Sequence, residues 1–180
     1  MIVGNIVPRL ETDRLSMRGH TIEDIAECAS MWADPKVVAN ISGTPSTYEQ
    51  SWSRLLRYAG HWCQLGFGYW VVESKADSSF LGEVGLADFR RDTQPNLQGI
   101  PEAGWAMKAD AQGLGYASEA VAMMLEWADV ELMHPTTACI MNPGHFASIN
   151  VARKSGYSNE TVGRYGKQDA LFMERSKCLA

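Results

Sequence analysis

Gln112-Gly113-Leu114-Gly115-Tyr116-Ala117 places two glycines between a strand-like run and a helix-like run. Glycine lets a backbone approach a ligand closely and turn successive N–H groups the same way. The first N–H groups of the helix that follows lack intrahelical acceptors, and the helix dipole adds partial positive charge there. Such a turn can hold a phosphate or a pyrophosphate. A Walker loop would need Lys and Ser or Thr after its last glycine, whereas Tyr116-Ala117 follows Gly115. A dinucleotide fingerprint would want glycine where Ser118 stands and an acid ending the next strand, which reads Ile140-Met141-Asn142. The first pattern fails and the second is poor. A phosphate cradle of another kind and a purely structural turn stay open.

Little else announces chemistry by spacing. Cys28, Cys63, Cys139 and Cys178 lie far apart, with no CxxC pair and no local histidine at metal-ligand spacing, so no metal is expected. Such thiols fit a reducing cytoplasm. Sixteen basic against 21 acidic residues give a formal charge of −5 without a Lys/Arg run, which argues against a nucleic-acid partner. The mild negative charge would tolerate a cationic acceptor but cannot identify one. Met1 to Pro8 is too short, and too broken by Gly4 and Asn5, for a secretory segment. Nowhere do about 18 apolar residues run together, so no membrane span is expected and the protein should be cytoplasmic. With 46% hydrophobic residues in 180, one domain over residues 8–177 has enough core to fold alone.

The elements that must position the turn follow from periodicity. Arg14 to Arg18 alternates as a strand, and Thr21 with Asp24 opens a helix through Trp32 that Asp34-Pro35 stops. The stretch to Pro45 reads as loop with at most one helical turn. Thr47 with Gln50 begins a second helix ending near Gly66, with Tyr48, Trp52, Leu55, Ala59 and Trp62 as its core stripe. Strands are expected at residues 69–74 and 80–89, then a mobile loop from Arg90 to Pro101, then a strand from Glu102 to Lys108. After the glycine turn, a helix to about Val130 turns Ala117, Ala120, Val121, Met124, Leu125 and Ala128 inward. A strand Thr136–Met141, a helix Ala147–Lys154 stopped by Gly156, and strands 158–163 and 170–175 turning at Gly166 complete the chain. This order predicts an α/β (α+β) protein, a mixed sheet with about four helices on both faces.

The glycine turn resembles the Gln/Arg-x-x-Gly-x-Gly/Ala acetyl-CoA motif of the GNAT N-acetyltransferase superfamily, and it sits between the fourth strand and third helix as in that family. Leu10-Glu11-Thr12-Asp13-Arg14-Leu15, Asp34-Pro35-Lys36-Val37-Val38, Glu102-Ala103-Gly104-Trp105-Ala106-Met107, Gly115-Tyr116-Ala117-Ser118-Glu119-Ala120 and Ala147-Ser148-Ile149-Asn150-Val151-Ala152 resemble its ribosomal-protein N-acetyltransferase branch. Five such segments in order span nearly the whole chain. The resemblance implies the GNAT fold, with a mostly antiparallel sheet of about six to seven strands splayed between the fourth and fifth.

The resemblance also implies roles. Gln112, Gly113, Leu114, Gly115, Tyr116 and Ala117 would hold the pyrophosphate of acetyl-CoA, with Ser118 adding a hydroxyl. The pantetheine arm would pair with the fourth strand at Trp105, Ala106 and Met107, the Met107 N–H polarising the thioester carbonyl. Where the family often has Asn after the fifth strand, His145 stands here, with Asn142 three residues earlier. Glu102 matches a Glu used as general base, and Glu83 is the second choice; a strand-end Glu is also an ordinary solvated charge. A base matters because about one α-amine in ten, and only about one lysine amine in a few thousand, is neutral at pH 7. Many relatives use a Tyr to protonate the departing thiolate; the matching residue is Ala152, and Ser148 matches a Ser proposed for that role, though a serine near a helix start is also an ordinary N-cap.

The implied activity is acetyl transfer from acetyl-CoA to an amine, either a protein N-terminus or a small molecule, by direct attack in a ternary complex. A non-catalytic acyl-CoA sensor or interaction module is the alternative, kept alive by the missing Tyr and the His145 departure. A nucleotide-binding dehydrogenase is the weakest. The acceptor itself and the oligomeric state are not legible, though relatives are commonly homodimers.

Overall fold

The computed structural model describes residues 7–178, so Gly4 and Asn5, read above as breaking a secretory segment, lie outside the described residues. Leu10–Glu11 (β1) and Leu15–Gly19 (β2) form an opening hairpin. Thr21 and Asp24 make the expected capping box, but the first turn is 3-10 and the α-helix proper is Ile25–Ala33 (α1). Pro35–Val38 (α2) is the single helical turn foreseen in the following loop. Tyr48–Leu65 (α3) starts at a Thr47–Gln50 capping box and stops at Gly66, whose φ of 74° suits only glycine readily.

The core stripe of α3 differs from expectation. Ser51, Leu55, Tyr58, His61 and Trp62 are buried, whereas Tyr48 is 62% exposed and Trp52 37%. The buried set keeps helical spacing but lies about one residue around the helix from the aromatic stripe at its N-terminal half. Tyr58 and His61 take inward positions because aromatic partners receive them. Tyr58 stacks on Tyr69 at 4.2 Å, and His61 meets Phe89 edge-on at 5.5 Å.

Tyr69–Ser74 (β3), Phe80–Ala87 (β4), Thr93–Gln94 (β5) and Glu102–Met107 (β6) follow. The segment read as a mobile loop therefore holds a short strand, with Thr93 and Leu97 buried, because β5 finds an edge to pair with at the far end of the chain. Tyr116–Glu131 (α4), Thr136–Met141 (β7), Phe146–Lys154 (α5), Ser158–Tyr165 (β8) and Gln168–Ser176 (β9) complete the fold. One open sheet runs β1-β2-β3-β4-β6-β7-β9-β8-β5, and every neighbour pair is antiparallel except β6–β7. It has nine strands where about six to seven were expected; the excess is the two-residue β1 and β5, too short to leave a periodic signal.

The helices cover both faces. Met107, Ala103 and Trp70 face α4, which presents Ala120, Val121, Met124, Leu125 and Ala128 as expected, with Ala117 only partly buried. Val71 and Ala106 face α1 through Cys28, Met31 and Trp32, and α2 through Val37 and Val38. At the C-terminal end of α3, Trp62 reaches the first cluster against Trp70 and Trp127. No helix among the described residues is long and apolar enough to cross a membrane.

Candidate active site

The parallel pair β6–β7 is the weak seam of the sheet. Its register has only Glu102 opposite Ala138 and Ala103 opposite Cys139, after which the strands part. This is the splay expected between the fourth and fifth strands. The antiparallel partner β4 tells which β6 groups face the gap. Lys108 N–H donates to Leu81 C=O at 2.9 Å, and residues pair in unbroken register from Gly82/Met107 to Ala87/Glu102. Hydrogen-bonded pairs alternate along such a ladder, so Ala106 and Gly104 bond towards β4 while Trp105 and Met107 turn their N–H and C=O towards the gap. Met107 C=O accepts from Gln112 Nε2 at 3.0 Å, which ties the glycine turn to the end of β6.

A cleft of about 510 Å³ occupies this gap. It is lined by Glu102, Trp105, Ala106, Asn142, His145 and Ser148, bringing together the two proposed acid–base residues and four of the expected cofactor contacts. Arg54, Arg57 and Tyr58 of α3 and Ser148 of α5 also line it. Met107 and Gln112 to Ser118 do not line the cleft; the turn lies just past the end of β6, beyond the 3-10 turn Ala109–Ala111.

The turn itself is open. Gln112 to Gly115 are exposed, with φ of 77° at Gly113 and 84° at Gly115. A Cβ added at Gly113 would meet nothing within 4 Å. Gly115 caps α4 without a side-chain bond, leaving the first-turn N–H groups of Tyr116, Ala117 and Ser118 to an outside acceptor. Sequence reasoning missed the cation beside it. Arg14 donates to Leu114 C=O at 3.1 Å and to Glu119 at 2.7 Å, and stacks over Tyr116 at 4.6 Å. The turn offers a diphosphate free amides and a helix dipole, with the Arg14 guanidinium beside it paired to Glu119.

Glu102 is 6% exposed and its carboxylate pairs with Arg91. Burial pushes its carboxyl up to about 7, against the opposing pull of Arg91 and with help from Asp88. Glu83 differs in kind. It is 1% exposed, lies outside the cleft lining, and accepts from His20 Nε2 at 3.0 Å and Trp32 Nε1 at 2.7 Å. Burial would raise its carboxyl, but bonds from His20, Cys28 and Trp32 outweigh that and hold it below the ordinary range. His20, Cys28 and Glu83 place their polar atoms within 4.8 Å of one another, a grouping invisible in sequence spacing. These hydrogen bonds occupy both oxygens of Glu83.

His145 is the N-cap of α5 and makes no side-chain cap bond, so Ser148 sits inside the first turn and is not the N-cap. The Ser148 hydroxyl lies 3.5 Å from His145 Nε2, and burial pulls the His145 imidazole below its usual value, leaving it neutral at pH 7. Asn142 Oδ1 accepts from Gly144 N–H at 2.8 Å, so its carbonyl shapes the loop. Ala152 is wholly buried against the core.

Tyr69 is a further wall that spacing gave no sign of. Its ring lies across Gly85 and Gly104, and a Cβ on Gly104 would stand 2.0 Å from the Tyr69 hydroxyl. Glycine at both positions lets this aromatic lie flat beside Glu102.

The family model for the acetyltransferase (GNAT) domain matches residues 14–158. The chain belongs to the GNAT acetyltransferase family. Acetyl-CoA is the acetyl donor of GNAT enzymes. This GNAT chain is 28% identical over 179 residues to the uncharacterized protein YkkB of Bacillus subtilis (strain 168), covering 96% of this chain and 98% of that one. A solved Bordetella pertussis protein named as a GNAT-family acetyltransferase superposes with a TM-score of 0.83 at 23% identity, over 94% of this chain and 99% of that one. RimL, a ribosomal L7/L12 α-N-protein acetyltransferase solved with coenzyme A, superposes at 0.75 with 11% identity, over 94% and 98%. At such identities the two structures share the GNAT fold with this chain and nothing finer.

Proposed function

We propose that residues 8–177 form one cytoplasmic acetyltransferase domain that moves the acetyl group of acetyl-CoA onto an amine by direct attack in a ternary complex. One observation carries this: the gap between β6 and β7 holds Glu102 on one wall and Ser148 on another, while the exposed glycine turn stands at its end. The amides of Gly113 to Ala117 and the Arg14 guanidinium would hold the diphosphate, with the Ser118 hydroxyl in reach. Trp105 and Met107 offer the pantetheine amides strand-like partners, and the Met107 N–H would meet the thioester carbonyl. Ala106, Asn142 and His145 line the path.

The amine arrives as an ammonium ion and must lose a proton. Glu102, poised near 7, is fitted to accept it, directly or through one water. Arg91 fixes the carboxylate orientation. The neutral amine attacks the thioester carbonyl carbon, the C–S bond breaks, and the Ser148 hydroxyl supplies a proton to the leaving thiolate. The attacking nitrogen sheds its excess proton as the amide forms, and that proton, relayed through water or the neutral His145 imidazole, restores the Ser148 hydroxyl. Glu83 is the poorer base, since both of its oxygens are already engaged.

Isothermal titration with acetyl-CoA, paired with thiol release over an amine panel, tests the assignment. Binding with turnover supports it. Binding without turnover on any amine would make the chain an acyl-CoA sensor instead.

A further inference from the structure

The chain is acidic overall, yet the α3 wall of the cleft is basic: Arg54 and Arg57, three residues apart on one helix, both line it. Among the described residues neither makes an ion pair. Arg54 Nη2 donates to Ser46 Oγ at 3.3 Å, while its Nη1 is buried without an acceptor. The Arg54 guanidinium lies over Trp32 at 3.9 Å and that of Arg57 over Phe89 at 5.0 Å. Contact with a ring limits the motion of each guanidinium, and exposed Arg57 keeps N–H groups that match a carboxylate or phosphate. The third cleft arginine, Arg91, is committed to Glu102, while Asp169, the other acid of the cleft, is exposed and makes no ion pair among the described residues.

Aromatic side chains connect this basic wall to the proposed base. Tyr58, next to Arg57, stacks on Tyr69, and the Tyr69 hydroxyl lies over Gly104, two residues from Glu102. Arg57, Tyr58, Tyr69 and Glu102 all line the same cleft, so one small molecule can touch both the basic wall and the base.

We propose that the acceptor is a small amine carrying an anionic group, carboxylate or phosphate, which Arg54 and Arg57 hold while the amine faces Glu102. The proposal rests on the amine-acetylation reading and adds the substrate class. A polycationic amine would set its charge against two unpaired guanidiniums.

Matched probes test it on the full-length chain: phenylalanine, phenylalaninamide and phenethylamine for the carboxylate, and O-phosphoethanolamine against ethanolamine for the phosphate. Thiol release from acetyl-CoA should favour an anionic member over its neutral counterpart by about 10- to 100-fold in kcat/KM, the scale of one or two charge-assisted bonds. Arg57→Gln should erase that preference through KM, leaving acetyl-CoA affinity and the rate on phenethylamine near wild type; Arg57 is exposed, so the variant folds even where Arg54→Gln does not. Titration of the same probes in the presence of coenzyme A reads the site independently of chemistry. Anion-dependent binding that weakens in Arg57→Gln, without turnover, would uphold the anion site and overturn acetyl transfer. Equal handling of charged and neutral members in both assays overturns the proposal, as does activity confined to peptide N-termini.

Discussion

Glu102 is set by two opposed influences. Burial disfavours its charged form and Arg91 favours it, and burial prevails, raising the carboxyl to about 7. A general base works only when ionised, so kcat/KM on any amine should climb as pH rises through about 7. Glu102→Gln should lower the rate near neutral pH by about 100-fold or more and lose less at alkaline pH, where the amine is neutralised without a base, with the acetyl-CoA dissociation constant unchanged. Equal activity of variant and wild type across the pH range would remove Glu102 from the mechanism. Glu102 was legible as a candidate only through its place in a recognisable segment; its pairing with Arg91 was not, because the arginine comes from a stretch read as loop.

At the scale of elements, the glycine turn and the splayed strand divide the work of binding. The turn offers amides because two left-handed residues orient them, a conformation costing a side chain about 1–2 kcal/mol. Gly115→Trp, whose φ is 84° and whose Cβ would sit 3.4 Å from Arg14, should weaken acetyl-CoA binding about 100-fold, roughly two lost charge-assisted bonds. Calorimetry checks this, and unchanged affinity would displace the diphosphate from the turn. Gly104 does a different job. Gly104→Val should tilt Tyr69 off its stack with Tyr58, cost about 1–3 kcal/mol of stability in denaturant unfolding, and raise the acceptor KM more than that of acetyl-CoA. The motif around Gly115 was readable because a local backbone geometry imposes its own residue types. Gly104 carried no such message, since its reason is a ring contributed from another strand.

For the whole molecule, the raised carboxyl of Glu102 has a thermodynamic counterpart. Its folded value lies above the ordinary 4.5, so it contributes stability fully present below 4.5 that is lost as pH rises through about 7. Asp129 acts in the opposite sense: Arg175 holds it low, giving stability that is present above 3.8 and lost as pH falls through its folded value. Glu102→Gln should therefore shrink the loss of unfolding free energy between about pH 4.5 and about pH 8, by at most about 3 kcal/mol, as read from denaturant melts at each pH. The sequence by itself determined the family, the order of the longer elements, their caps at Thr21, Thr47 and Gly66, and the open turn at Gly113 and Gly115, because periodicity, capping and left-handed backbone are local properties. Which face α3 buries, the edge β5 finds, the engagement of Glu83 by His20 and Trp32, and the place of Arg54 and Arg57 in the cleft without an ion pair among the described residues came only from the folded chain. Those depend on which distant residue arrives opposite, and chain spacing holds no record of it.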